Sequence, residues 1–403
     1  MRKNNNIIGV VDLGSAKTVC FIAEVSAGEV MIKGIGHTQT RGVRSGLIVD
    51  MQQAKQSIAK AIELANKMAG TKVKKVTCAI SSCVLLAKNM NAKVSISGKE
   101  INHNDITKLK LSLNDMIDSN DYEILHKFIY DYKLDGYSGI TNPVGMYGRE
   151  LSCSSNIILC HKNILLNYQQ CFSQLGIEIR GFVAAPYAAS YSLLSDEDQD
   201  YGAILIDFGY STSSISYIKN GQMRFLDSVP LGSLNLVNDL MQGIGVSFST
   251  ADRIKSLYGT LNPQALNDNE VIDIDDDSDI VSEGQPITKD FVNEIIQART
   301  EEIVELLQKK LISSGIRVDN ARVILSGGMS IMRGMQDLLG RYGLKGKIEI
   351  PQYINGIADS VTGPAFSTSV GLLQYAVSNH RKRFGARGAL NITGMLHWLK
   401  ENF

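Results

Sequence analysis

A chain of 403 residues is too long for one ordinary hydrophobic core and calls for two or more lobes. Its 41 basic and 41 acidic residues cancel, which excludes the broad basic surface that nucleic-acid backbone binding needs. Hydrophobic residues make up 44% of the chain, as in a soluble globular protein, and no apolar run is long enough to span a bilayer.

Residues 7–35 are expected to form strands, with turns at Ala27-Gly28 and at Gly34 to Gly36. No cleavable leader precedes them, so a cytoplasmic location is expected. The first apolar run stops at Asp12-Leu13-Gly14-Ser15-Ala16-Lys17-Thr18. A buried strand that ends in such a turn leaves backbone N–H groups free at its tip. Those groups form an anion-binding nest, and the aspartate suits a magnesium ion held through water. Asp50 caps a helix with Met51, Ala54, Ile58, Ile62, Ala65 and Met68 at helical spacing, and Gly70 closes it. Residues 73–80 read as another strand.

From residue 85 to 160 the sequence turns polar and rich in Asn, Ser and Lys, the mark of an inserted small α+β subdomain. The α/β pattern resumes with a helix at 163–175 stopped by Gly176, a strand at 177–184 and a helix at 186–194. Acidic residues 196–200 read as an inter-lobe linker, or equally as a solvated loop after that helix. Directly after them the first device repeats: an apolar run stops at Asp207-Phe208-Gly209-Tyr210-Ser211-Thr212. Two such turns facing each other can grip a nucleoside triphosphate from both sides.

A helix at 250–258 places Asp252 and Lys255 on one face, the first suited to ribose hydroxyls and the second to the base. The acidic stretch 261–287 lacks the glycine and spacing of a calcium loop and reads as solvated strands. A long helix at 295–311 has Ile295, Ile303, Leu306, Leu307 and Lys310 toward its buried side. A third strand runs into Gly327-Gly328-Met329, where glycines admit a flat ring or a phosphate close to the backbone. Residues 360–376 are expected to close the second lobe. No Walker A sequence occurs, and no G-x-G-x-x-G follows a strand, so the P-loop and Rossmann readings fail. The six cysteines form no C-x-x-C pair and the six histidines have no ligand spacing. They read as buried small residues and scattered polar ones.

Residues 391–403 plot as an amphipathic helix. Ile392, Met395, Leu396, Leu399 and Phe403 share one face, with Trp398 at its edge. A basic segment at 378–390, with Arg381, Lys382, Arg383 and Arg387, precedes it as a linker. The pattern suits reversible insertion into an anionic membrane surface; a terminal helix docked on the protein's own core is the alternative.

Taken in order, these motifs resemble the actin-like ATPase superfamily, and within it the FtsA family of bacterial cell-division proteins. Gly42-Val43-Arg44-Ser45-Gly46, Asn142-Pro143-Val144-Gly145-Met146, Ile324-Leu325-Ser326-Gly327-Gly328 and Ser369-Val370-Gly371-Leu372-Leu373 carry the resemblance over almost the whole chain. It implies an actin-like two-lobed α/β ATPase fold. The first-lobe core would span 1–84 and 161–197, with the insert at 85–160 making subunit contacts. The second-lobe core would span 198–225 and 312–377, with a subdomain at 226–311. The cofactors implied are ATP and Mg²⁺, with Asp12 and Asp207 at the metal. Gly14, Ser15, Lys17, Gly209, Ser211 and Thr212 would surround the phosphates; Gly327, Gly328, Met329, Asp252 and Lys255 would meet the base and ribose. The partners implied are a second copy of the chain in a filament, anionic membrane lipid at the inner membrane, and the FtsZ C-terminal tail, which would meet Arg299 and Glu302. Read without the family, that pair is an ordinary i, i+3 ion pair.

The chain departs from relatives in two places. Tyr210 and Ser211 replace glycines of the second turn, and Ser214 replaces its final aspartate. Ala185 stands where chaperone relatives carry a glutamate that could orient an attacking water. Nucleotide binding with slow hydrolysis at most is therefore expected. The rival readings are an FtsA-like pilus-assembly protein and an actin-fold kinase.

Overall fold

The computed structural model describes residues 6–26, 29–262, 270–272, 286–352, 354–356 and 361–388. The first lobe opens with β1 (Ile7–Leu13), β2 (Lys17–Ser26) and β3 (Glu29–Gln39). Two short strands follow, β4 (Val43–Arg44) and β5 (Leu47–Ile48), then α1 (Met51–Ala69) and β6 (Lys75–Ile80). The expected turn at Gly34 to Gly36 does not form, and β3 runs straight through it. A Cβ at Gly34 would sit 2.1 Å from the Ala65 carbonyl oxygen, and one at Gly36 1.9 Å from that of Ala61. The glycines are there so that α1 can lie directly on the strand. α1 itself starts and stops as its sequence dictates. The Asp50 carboxylate accepts from the Gln52 and Gln53 amides, and Gly70 turns left-handed at φ +62°.

The insert comprises β7 (Leu85–Ser95), α2 (His103–Asp115), β8 (Tyr122–Leu134), β9 (Tyr137–Ile140) and β10 (Glu150–His161). Its sheet has the order β7-β10-β8-β9, and α2 closes a small core of its own around Ile101, Leu109, Leu113, Leu151 and Ile157. The chain then returns to the first lobe through α3 (Lys162–Ser173), β11 (Glu178–Ala184) and α4 (Ala185–Leu193). The completed sheet has the order β11-β6-β1-β2-β3, with β1, β6 and β11 parallel. His126 on β8 pins the insert to this lobe: its Nε2 accepts the Ala184 amide at 3.0 Å, and its ring packs on Phe128 and Tyr187. Burial pushes its pKa down to about 4, so it stays neutral.

The acidic residues expected as a linker form a short helix, α5 (Asp196–Tyr201). Ser195 and Asp198 cap it reciprocally, and Arg322 holds Asp198 at 2.7 Å. The second lobe repeats the first in plan. It contains β12 (Ala203–Phe208), β13 (Ser213–Lys219), β14 (Gln222–Val229), α6 (Ser233–Leu240) and α7 (Phe248–Tyr258). α8 (Lys289–Ser313), β15 (Arg322–Ser326), α9 (Met335–Arg341) and β16 (Gly346–Ile348) follow. Its sheet has the order β14-β13-β12-β15-β16, with β12 antiparallel to β13 and parallel to β15. On α8, Ile303 and Leu307 are buried as expected and Ile295 and Leu306 partly so, but Lys310 reaches out to Asp227 at 2.7 Å. Most of the acidic stretch 261–287 lies outside the described residues.

The last helix, α10 (Ser367–Gly388), corrects two expectations. It does not close the second lobe. Val370, Leu372 and Leu373 join Val10, Val19 and Phe21 in the first-lobe core, and α10 packs along α4. It also continues through the segment expected as a basic linker, which is helical from residue 378 to Gly388. Residues 389–403, with the amphipathic face of Ile392, Met395, Leu396, Trp398, Leu399 and Phe403, lie outside the described residues.

The α4–α10 crossing is backbone on backbone: a Cβ at Gly371 would lie 1.9 Å from the Ala188 carbonyl oxygen. Gly371→Ala, although it improves helix propensity, is expected to destabilise the protein by about 2–4 kcal/mol in urea unfolding. Gly363→Ala has open space around its Cβ and is expected to change stability by less than about 0.5 kcal/mol.

Candidate functional site

Asp12 and Asp207 sit at equivalent points of the two sheets, each one residue before the end of the central strand of a β-hairpin. Asp12 pairs with Val19 across β1–β2, and Asp207 with Ser214 across β12–β13. Each hairpin closes with the same bond: Gly14 N–H to the Lys17 carbonyl at 3.1 Å, and Gly209 N–H to the Thr212 carbonyl at 2.9 Å. Both turns face one cavity of about 300 Å³ between the lobes. Asp12, Gly14, Ser15 and Lys17 line it from one side, and Asp207, Gly209, Ser211 and Thr212 from the other. Gly327, Gly328 and Met329 close a third wall. Gly327 has φ +88°, and a Cβ there would lie 2.2 Å from the Phe208 carbonyl oxygen. The glycine lets this loop return against the end of β12.

Lys255 is set apart from the phosphate turns. It lines an adjoining cavity of about 670 Å³ that shares Ser233, Gly328 and Met329 with the first. Asp252 lines neither cavity; it holds the Lys255 ammonium at 2.5 Å, and its charge adds to the burial that raises the pKa of Tyr210 at the first cavity's wall. Arg299 and Glu302 form the expected ion pair on α8, but Arg299 also grips Asp239 of α6 with two bonds, at 2.6 and 3.0 Å. It therefore ties two helices together as well as presenting charge.

The electrostatics of the cavity are unusual. Burial raises the pKa of Asp12, although Ser369 donates to its Oδ2 at 2.7 Å and Lys17 lies near. Burial, with the charge of Asp12 nearby, raises Asp207 to about 6. Burial lowers Lys17 to about 8, and its ammonium rests 3.3 Å over the Phe366 ring. Two buried carboxylates against one ammonium leave negative charge to be balanced. Among the described residues no cluster of three His, Cys, Asp or Glu occurs. Two carboxylates with hard oxygen donors and no further protein ligand fit a hydrated magnesium ion, which keeps several waters and shares itself with phosphate.

Several lining residues carried no signal in the sequence. Thr368 and Ala365 come from the loop and first turn of α10, and Ser81 and Ser82 from the end of β6. The Ser45 amide donates to the hydroxyls of Ser15 at 3.1 Å and Ser211 at 3.0 Å, and those hydroxyls meet each other at 2.6 Å. The flanking glycines Gly42 and Gly46, at φ +77° and +81°, marked a tight loop there but not its destination. Ala185 does line the cavity, so no carboxylate stands at that point, whereas Ser214 is buried on β13 outside it.

A family profile described as Cell division protein FtsA matches residues 204–371, and one described as SHS2 domain inserted in FTSA matches residues 85–159. A cell division protein FtsA of Agrobacterium fabrum is 30% identical over 427 residues, covering 100% of this chain and 96% of that protein. The structure of a PilM-PilN type IV pilus biogenesis complex matches with a TM-score of 0.64 at 14% identity, over 92% of this chain and 98% of that one. MreB5 of Spiroplasma citri bound to ADP matches with a TM-score of 0.55 at 14% identity, over 94% and 98%. These structural likenesses establish the actin-like fold and no more.

A buried aspartate whose folded pKa is raised above its unfolded value of 3.8 binds its proton more tightly when folded. The ionised form therefore destabilises the fold at pH values above about 6, and acidification through that value relieves the cost. Asp207→Asn removes the charge and is expected to raise stability at neutral pH by about 2–3 kcal/mol in urea unfolding, with the gain shrinking toward pH 4.

Proposed function

This chain belongs to the FtsA family of cell-division proteins, and we propose that it is an ATP- and Mg²⁺-binding adaptor that polymerises and links FtsZ to the cytoplasmic face of the cell inner membrane at the division site. The observation that carries the nucleotide reading is the pair of Asp-x-Gly hairpins facing each other across one cavity. The free amides of the two turns and Lys17 would bind the phosphates. Asp12 and Asp207 would hold a hydrated Mg²⁺, which supplies charge neutralisation between the phosphates and the two carboxylates. Gly327 to Met329 would flank the base, with Lys255 beyond them. Because one half of the grip comes from each lobe, bound ATP fixes the angle between lobes, and the nucleotide acts mainly as a conformational switch. The MreB5 neighbour, bound to ADP, supports the nucleotide class.

Ala185 offers no proton acceptor at the cavity wall, and the other titratable side chains there are Asp12, Lys17, Asp207 and Tyr210. With the carboxylates committed to the ion, no further carboxylate among the described lining residues is left to act as a base on a water, so turnover is slow. Isothermal titration should show that Asp207→Asn weakens ATP at least about tenfold with Mg²⁺ present but leaves metal-free ATP binding within about twofold. Wild-type steady-state hydrolysis should stay below about 1 s⁻¹. Unchanged Mg²⁺-ATP affinity in the variant would remove Asp207 from the metal site, and no ATP binding by the wild-type chain would sink the nucleotide reading.

Membrane attachment rests on the sequence of residues 391–403. No described helix is long and apolar enough to cross a membrane. Burial of a few large apolar side chains at about 25 cal/mol per Å² is enough for reversible attachment. In flotation with anionic vesicles, Trp398→Glu combined with Leu399→Glu should release the protein; retention would refute the tether.

For the FtsZ tail, the supporting feature is a rigid charged rim. Arg299 is held by Asp239 and Glu302 beside partly buried Ile295 and Leu306, and fixed charges next to an apolar strip suit a short disordered peptide. Glu302→Lys, which spares the Arg299–Asp239 link, should weaken binding of the FtsZ tail peptide at least about fivefold without lowering the unfolding midpoint. Equal peptide affinity would return the pair to ordinary surface chemistry.

A further inference from the structure

A second cavity of the first lobe, of about 490 Å³, lies at the end of the sheet opposite the nucleotide turns. The start of β1, the middle of β6, the body of β11 and the later turns of α10 enclose it. Its polar lining is Thr77, Arg180, Tyr375, Asn379 and His380, and among the described residues no carboxylate lines it. Arg180 reaches it through an irregularity. β11 pairs with β6 in register at Glu178 and Ile179, then skips one residue, so that Gly181 faces Thr77 and Arg180 is the extra residue of a bulge. Bulges in parallel pairs are uncommon, and they re-aim a side chain. The neighbouring Gly181 has open space where a Cβ would stand, which leaves the floor of the cavity clear. The adjacent carboxylate, Glu178, is already engaged by Lys75 at 2.5 Å.

The surroundings extend this charge. Lys72, Lys74 and Lys75, in the connection from α1 into β6, are exposed at the same end of the sheet, as is Arg381, the residue after His380 on α10. The chain as a whole is neutral, and with Glu178 paired to Lys75 the rim at this end keeps a local positive excess from Lys72, Lys74, Arg180 and Arg381. α10 then runs on from this cavity to Gly388, and the proposed membrane segment begins three residues later.

We infer that this cavity binds a phosphate-bearing anion, and that its source is the headgroup of an anionic membrane lipid. Arg180 is the positioning charge, Asn379 and Thr77 the supporting hydrogen-bonding groups, and the basic rim the surrounding field. The inference rests on the membrane reading above. It adds a second contact that would hold the first lobe against the bilayer instead of leaving it to swing on its tail. A single cation near an anionic surface is worth about 1 kcal/mol, or about fivefold in affinity.

The test is vesicle flotation of the full chain on phosphatidylcholine with and without phosphatidylglycerol. Arg180→Gln should weaken binding to the anionic vesicles about fivefold and reduce its salt dependence. Lys88→Gln, an equal loss of charge on the inserted subdomain, should change it less than about twofold. If Arg180→Gln binds like wild type, or Lys88→Gln loses as much, the site does not exist. Calorimetry with inorganic phosphate separates the two sources. Arg180-dependent phosphate binding with wild-type vesicle affinity would make the cavity a free-anion site and overturn the lipid assignment. The Trp398→Glu, Leu399→Glu variant keeps the two readings distinguishable. If it stays on vesicles, the tether fails; if it is released while Arg180→Gln is unaffected, only the headgroup site fails. Unfolding midpoints equal to wild type confirm that both variants are folded.

Discussion

Two carboxylates buried at the tips of two sheets, facing one cavity, are the constraint around which this molecule is organised. Ionised, Asp12 and Asp207 repel each other at the partly buried wall of the cavity, and Lys17 relieves only part of that. The arrangement costs stability in the free protein, a cost that the cation and phosphates proposed above would relieve. Everything that holds the two aspartates in place sets the size of that cost. The hairpin bonds at Gly14 and Gly209 set the turns, and the parallel partners β6 and β15 fix the strands behind them. An equilibrium can be moved only by a ligand that binds its two states differently. A site divided between two lobes meets that condition, because its full set of contacts exists only when the lobes are close.

α10 connects this site to the rest of the molecule. Ser369 in its first turns donates to Asp12, and Thr368 lines the cavity. Gly371 allows it to lie against the backbone of α4, and Tyr375 meets Tyr187 and His126, where the inserted subdomain is anchored. The same helix then borders the basic cavity at the far end of the sheet. One rod thus touches the nucleotide cleft, the root of the insert and the end from which the chain leaves. A change at Asp12 has a short packed route to each of them, through contacts between helices that tolerate little deformation.

Much of the architecture was legible in the sequence because it is written in local chemistry. The Asp50 and Gly70 caps bounded α1, the change to a polar composition bounded the insert at 85–160, and the two Asp-x-Gly turns gave eight of the cavity's lining residues before any coordinates. The misreadings share one cause. Gly34 and Gly36 carry the composition of a turn but serve the approach of α1, and residues 196–200 look like a linker but form a capped helix locked by Arg322. In each case the deciding partner lies far away in the chain.

By itself the sequence determined the two strand–turn devices and the missing acid at position 185, because each depends on residue types within a dozen positions of one another. Only the tertiary structure decided which lobe the last helix serves. Val370 and Leu373 are apolar residues that any core would accept, and it is the close α4–α10 approach, permitted because Gly371 has no Cβ, that commits them to the first lobe. Tertiary structure also decided that Lys255 stands in a second cavity, that Ser45 bonds to both Asp-x-Gly turns and that a bulge leaves the exposed Arg180 unpaired at the rim of a first-lobe cavity. Those facts depend on contacts between segments far apart in the chain or on the register of a single strand pair, and neither leaves a periodic mark in the chain.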